Sequence, residues 1–164
     1  MSIKKFVTKS VKETQDIAGN LVLEILKLKS QKGAIILALS GELGSGKTTF
    51  LQGFAKKLGI KEKILSPTFI LMKKFKIPKQ ILKKNTKYKI LNTKYSFFYH
   101  FDCYRLENEK DLESLGFKEI ISNSKNIVAI EWPEKIKEIL PKDILEIQFK
   151  HLEDNKREII IDSF

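Results

Sequence analysis

A chain of 164 residues with 42% hydrophobic content is long enough to bury a core of its own and short enough to need only one domain. Lysines at positions 4, 5, 9 and 12 interrupt the segment after Met1 before any long apolar run develops. The sequence therefore predicts neither a secretion signal nor a membrane span, and a cytoplasmic location. The formal net charge is +11, yet ten of the lysines fall between Lys63 and Phe101, a stretch with no acidic residue, and the remainder is close to neutral.

In chain order, Ile3 to Thr8 reads as an edge strand, and Ser10 with Glu13 forms a capping box for a helix that turns Val11, Ile17, Ala18, Leu21, Ile25 and Leu28 inward. The apolar run Ala34 to Leu39 predicts a buried strand. Phe50, Leu51, Phe54 and Leu58 recur at helical spacing behind it, with Gly59 placed to end the helix. A short strand near Ile64 is expected to complete a right-handed βαβ unit. Pro67 then rules out a regular central strand, so Ser66 to Phe69 is expected to be a turn, a switch-like loop or a strand entry. From Met72 to Ser96 no period holds, which leaves a β-hairpin arm or a loop. Ser96 to Phe101 and Asn126 to Ile130 read as buried strands, with a short helix at Asp111 to Gly116 between them. A second short helix lies between Pro133 and Pro141. Leu145, Ile147 and Phe149 alternate with polar residues, and Ile159 and Ile161 continue the pattern after Asp154-Asn155, which predicts a C-terminal hairpin. The expected fold is α/β: a mainly parallel sheet flanked by helices, closed by that antiparallel hairpin.

Chemistry is concentrated in Gly41-Glu42-Leu43-Gly44-Ser45-Gly46-Lys47-Thr48, two glycines spaced five apart and followed by Lys and Thr, between a predicted strand and a predicted helix. Glycines let successive main-chain N–H groups curl around a phosphate, and the helix start near Lys47 adds unpaired amides and about half a positive charge. Lys47 adds a mobile cation, and the Thr48 hydroxyl suits magnesium. Phosphoryl transfer also needs acids to hold the metal's water shell or orient the attacking water. Glu131 ends one apolar strand, where a Walker B carboxylate sits, and Asp102 ends another in the same manner. The competing reading of each is an exposed acid after a strand. His100 and Tyr104 alternate with Asp102, so His100 either orients that acid or is a satisfied structural histidine, the preferred reading. Lone Cys103 is expected to be a reduced core or near-core residue with no chemistry.

Taken together, Gly41 to Thr49, Ser66-Pro67-Thr68-Phe69, His100 to Leu106, Ile130 to Glu134 and Leu140-Pro141 resemble, in matching order, the TsaE (YjeE) family, bacterial ATPases required for threonylcarbamoyladenosine synthesis in tRNA. The resemblance implies a P-loop NTPase-like fold and ATP or ADP and Mg2+ as cofactors, with residues Glu42 to Thr49 on the nucleotide: Glu42, Leu43, Gly44, Ser45, Gly46, Lys47, Thr48 and Thr49. It implies that Lys47 holds the outer phosphates, that Thr48 and Glu131 organise the metal, and that Asp102 lies near the terminal phosphate. It further implies that Ser66 to Phe69, with Ser66 and Thr68 foremost, acts as a switch. Ser10 and Thr14 fall in the region beside the adenine, and Arg157 where the closing hairpin approaches the nucleotide. The implied partners are TsaD and TsaB, with tRNA reached at least through their complex and no membrane involved. The segment between Phe69 and His100 is longer than usual for the family, a lysine-rich insertion at about 73–95.

Two other function classes fit parts of the chain. A small-molecule P-loop kinase shares the loop and the size, but such enzymes use several arginines for acceptor and lid, and here only Arg105 and Arg157 occur. An RNA-binding module would use the lysines between Lys63 and Lys94, with Phe75, Tyr88 and Tyr95 stacking on bases. The bland reading of those lysines is compositional bias and solvated surface.

Overall fold

Ser10 starts the first helix as its sequence requires: the Ser10 side chain accepts from the Glu13 amide at 3.2 Å, and Glu13 reaches back to the Lys9 amide at 2.7 Å. In the computed structural model, which describes residues 2–29, 31–67, 70–82, 90–107 and 110–163, this helix is α1 (Val11–Ile25), preceded by β1 (Ser2–Thr8). The following elements are β2 (Ile35–Ser40), α2 (Lys47–Lys57), β3 (Met72–Lys76), β4 (Gln80–Leu82), β5 (Ile90–Asn92) and β6 (Phe97–Asp102). Then come α3 (Lys110–Glu113), α4 (Phe117–Ser122), β7 (Asn126–Glu131), a 3₁₀ segment (Pro133–Ile139), β8 (Leu145–His151) and β9 (Arg157–Ser163).

Among the described residues, seven strands form one sheet in the order β1-β9-β8-β2-β7-β6-β3, and β4 pairs only with β5. The centre is parallel: β2 lies between β7 and β8, and β6 runs beside β7. Both edges are antiparallel, through β8-β9-β1 on one side and β3 against β6 on the other. All six residues of β7 are buried, as expected of a strand covered on both faces. Phe50, Leu51 and Phe54 of α2 and Leu21, Val22 and Ile25 of α1 cover one face, and Leu112, Phe117 and Ile136 cover the other. Helices α1 and α2 meet closely at Gly53, where an added Cβ would lie 2.4 Å from Gln15 Cα. Glycine is required there by proximity.

The structure corrects one expectation and resolves another. No strand forms near Ile64; residues 60–67 run without regular structure, although Ile60 and Ile64 are buried and Gln52 Nε2 donates to the Ile64 carbonyl at 3.1 Å. The parallel partners of β2 come instead from β7 and β8, far along the chain. Of the two readings of 72–96, the β-hairpin arm holds in part: β4 and β5 pair antiparallel with each other, while β3 before them completes the edge of the main sheet. At the C-terminal hairpin, Asp154 and Asn155 have φ of 58° and 57°, and the Lys156 amide donates to the Glu153 carbonyl at 3.2 Å. Those signs belong to a turn whose twist matches antiparallel strands.

Candidate functional site

The glycine-rich loop leaves the C-terminal end of β2 and enters α2, with Gly41, Gly44 and Gly46 at φ of 139°, 77° and 106°. A side chain on Gly41 would strike the Phe149 carbonyl at 2.5 Å, so the loop sits hard against β8 and opens the other way. There, Leu43 to Thr49, Ser66, Asp102, Tyr104, Arg105, Glu131 and Trp132 line a cleft of about 410 Å³. The parallel strands β6 and β7 deliver Asp102 and Glu131 to it as register partners, both 3% exposed. This is the carboxyl edge of a parallel sheet, the place where α/β folds bind ligands.

Within the cleft, Lys47 is 4% exposed; its Nζ donates to the carbonyls of Gly41 at 2.6 Å and Glu42 at 2.9 Å and stands 4.3 Å from the centre of the Trp132 ring. Burial lowers its pKa from 10.5, and the negative charges of Glu131, Asp102 and Glu134 pull the other way. Thr48 Oγ1 donates to Glu131 Oε1 at 3.2 Å, and His100 Nε2 lies 2.8 Å from that same oxygen. Asp102 accepts from Ser66 Oγ on Oδ2 and from the Tyr104 amide on Oδ1, the latter at 3.0 Å. Trp132 takes a left-handed φ of 61° directly after Glu131, and its ring meets Tyr104 with centroids 5.0 Å apart. Cys103 is fully buried and its thiol is pushed up to about 12 by burial, with Asp102 and Glu134 adding to the effect, so it stays protonated.

Two observations bear on whether a magnesium nucleotide fits. The buried Ser45 hydroxyl faces the β8 side of the loop, 3.0 Å from where a Cβ on Gly41 would stand, whereas open space surrounds Gly44. A phosphate can come up to the main-chain amides there without meeting a side chain. Thr48 and Glu131 offer hard oxygen atoms, and no cluster of three or more His, Cys, Asp or Glu side chains among the described residues could hold an ion alone. Magnesium is usually held this way, through one or two protein groups with phosphates and water supplying the rest. The residues fit the group.

The sequence-predicted residues divide accordingly. Leu43, Gly44, Ser45, Gly46, Lys47, Thr48, Thr49, Ser66, Asp102 and Glu131 converge on the cleft. Glu42 contributes only its carbonyl, to Lys47. Ser10 and Thr14 do not line it: Ser10 caps α1, and Thr14 is buried with its hydroxyl 3.0 Å from that of Thr8. Arg157 packs against the loop, its Cδ 3.2 Å from where a Cβ on Gly46 would stand, and does not itself line the cleft. Thr68 and Phe69 lie outside the described residues. His100 faces Glu131 and not Asp102, because β6 and β7 run in parallel register with His100 opposite Ala129, and the ring reaches diagonally to the next acid on the same face. Tyr104, which alternates with Asp102 in sequence, and Arg105 stand at the cleft wall just beyond the end of β6.

The sequence model described as "Threonylcarbamoyl adenosine biosynthesis protein TsaE" matches residues 8–159. The chain belongs to the TsaE family. It is 35% identical to the tRNA threonylcarbamoyladenosine biosynthesis protein TsaE of Rickettsia prowazekii over 90% of this chain and 87% of that one, and 35% identical to its Bacillus subtilis namesake over 94% and 82%. Among solved structures, the Bacillus subtilis YdiB crystal structure superposes with a TM-score of 0.68 at 29% identity, covering 98% of this chain and 84% of that one. TsaE family membership places the chain in tRNA threonylcarbamoyladenosine biosynthesis and identifies its loop and sheet as a P-loop ATPase fold with a nucleotide site. Among the described residues, no helix is long and apolar enough to cross a membrane.

Proposed function

We propose that this chain binds Mg-ATP in the cleft and hydrolyses it as a cytoplasmic subunit acting with TsaD and TsaB, so that ATP turnover drives or resets threonylcarbamoyl transfer to tRNA. One observation carries the reading: Lys47, Thr48, Glu131 and Asp102, drawn from three separate segments of the chain, meet at the mouth of one glycine-rich loop. Lys47 exchanges its bonds to the Gly41 and Glu42 carbonyls for the outer phosphate oxygens, which compensates its buried charge. The loop amides hold the phosphates in place, with open space at Gly44 for their approach. Magnesium would supply positive charge against the negative charge that develops on the phosphates. Thr48 and Glu131 are the residues that would hold it. Asp102, at the neighbouring strand end, orients the attacking water, and its bond to Ser66 ties it to the segment that acts as the switch.

Of the two arginines, only Arg105 lines the cleft. Arginine charge at the transition state is worth on the order of a thousandfold or more elsewhere, so turnover by the isolated chain is slow and the partners raise it. The same shortage disfavours a small-molecule kinase. The test is reconstitution of tRNA modification from purified components, with this chain, without it, and with Lys47→Ala in its place. Modification is expected only with the unaltered chain, and equal modification in all three reactions contradicts the proposal.

A further inference from the structure

We infer that His100 is a positioning residue that fixes the Glu131 carboxylate for the metal, an inference that rests on the reading of the cleft given above. The His100 side chain is fully buried on β6 with Nε2 2.8 Å from Glu131 Oε1, and its other ring nitrogen, Nδ1, is buried with no partner among the described residues. That asymmetry selects the proton's place. A proton on Nδ1 would bury an N–H with nothing to accept it and set the Nε2 lone pair against a carboxylate oxygen. A proton on Nε2 instead donates to Glu131.

Thr48 Oγ1 donates to the same Oε1 at 3.2 Å, so both side-chain hydrogen bonds that Glu131 takes among the described residues fall on one oxygen. The carboxylate is thereby held in one rotation, and Oε2 is the oxygen left for the metal or its water. A ring with no solvent exposure, closed in by neighbours on the α2 side of the sheet, has little freedom to move, and the carboxylate inherits that restraint. Outer partners of this kind typically change metal affinity 10- to 100-fold when removed.

Two measurements test this. Imidazole nitrogen NMR on the nucleotide-free protein is expected to show His100 with a proton on Nε2, slow to exchange, and none on Nδ1; a proton on Nδ1 overturns the inference without any variant being made. ADP affinity is then measured by calorimetry with and without magnesium for the unaltered protein, His100→Leu and His100→Gln. Magnesium-free affinity is expected to stay within about threefold, while the gain on adding magnesium falls about 10-fold or more in His100→Leu and is largely restored in His100→Gln, which keeps an N–H donor. An unchanged magnesium gain in folded His100→Leu overturns the positioning role alone. A lack of ADP binding by the unaltered protein overturns the reading of the cleft, and this inference with it.

Discussion

Lys47 is the residue on which the cleft's electrostatics turn. Its ammonium is buried beside Glu131, Asp102 and Glu134, and because desolvation outweighs those carboxylates, its pKa lies below 10.5. The unfolded chain therefore binds more protons than the folded one between the lowered value and 10.5, and stability rises with pH through that window. In urea titrations of the nucleotide-free protein, Lys47→Met is expected to flatten this rise; an unaltered slope would mean that another group governs it. At Asp102 the prediction concerns rate. Asp102→Ala is expected to lower hydrolysis by roughly 100-fold or more while changing nucleotide affinity only a few-fold, as for a group that orients the nucleophile. Turnover equal to the unaltered protein would make Asp102 a structural anchor for Ser66 and Tyr104. Lys47, Thr48, Asp102 and Glu131, which converge on the cleft, were legible because each obeys a local rule: a glycine pattern before a helix, or an acid directly after an apolar strand. The Glu131 partner of His100 was not legible, since it depends on which strands are neighbours and in what register.

At the scale of elements, α1 and α2 form the tightest joint. The Gln15 backbone lies 2.4 Å from an added Cβ at Gly53, and backbone does not yield as a flexible side chain does. Gly53→Ala is expected to destabilise the fold by about 1–3 kcal/mol, despite alanine's better helix propensity, as read from the midpoint of urea unfolding. A neutral or stabilising change would show that the helices can part. Ser10→Ala removes the cap of α1 and is expected to cost about 1 kcal/mol by the same measurement, with nucleotide affinity unchanged because Ser10 does not line the cleft. Weaker nucleotide binding in that variant would instead restore Ser10 to the site. Helical periodicity revealed both helices, and alternation revealed β8 and β9. The strand imagined near Ile64 failed because two buried isoleucines flanked by lysine mimic a short strand, whereas the Ile64 carbonyl is satisfied by the Gln52 side chain and not by a ladder. Likewise β3 was hidden by its own chemistry. An edge strand carries lysines that discourage further pairing, and Lys73, Lys74 and Lys76 erase its apolar alternation.

Across the whole molecule, part of the positive charge is structural. Lys94 Nζ donates to the carbonyls of Leu28 and Lys29 at 2.9 and 2.8 Å, just beyond the end of α1, and Lys74 Nζ stands 4.0 Å from the centre of the Phe97 ring. Lys83, Lys84, Lys87, Lys89 and Tyr88 lie outside the described residues. Composition counts charges without regard to the carbonyls and rings that some of them meet. Sheet order is the feature that no local pattern contains: β2, β6 and β7 lie side by side although 56 residues separate Ser40 from Phe97, and that adjacency gathers the loop, Asp102 and Glu131. The account therefore stands on a polyanion held by the loop formed at the end of β2. Titration calorimetry with ADP and magnesium tests it most directly. Saturable binding at one site per chain, abolished or weakened about 100-fold in Lys47→Ala, is the predicted result; no saturable heat from the folded, unaltered protein would contradict it.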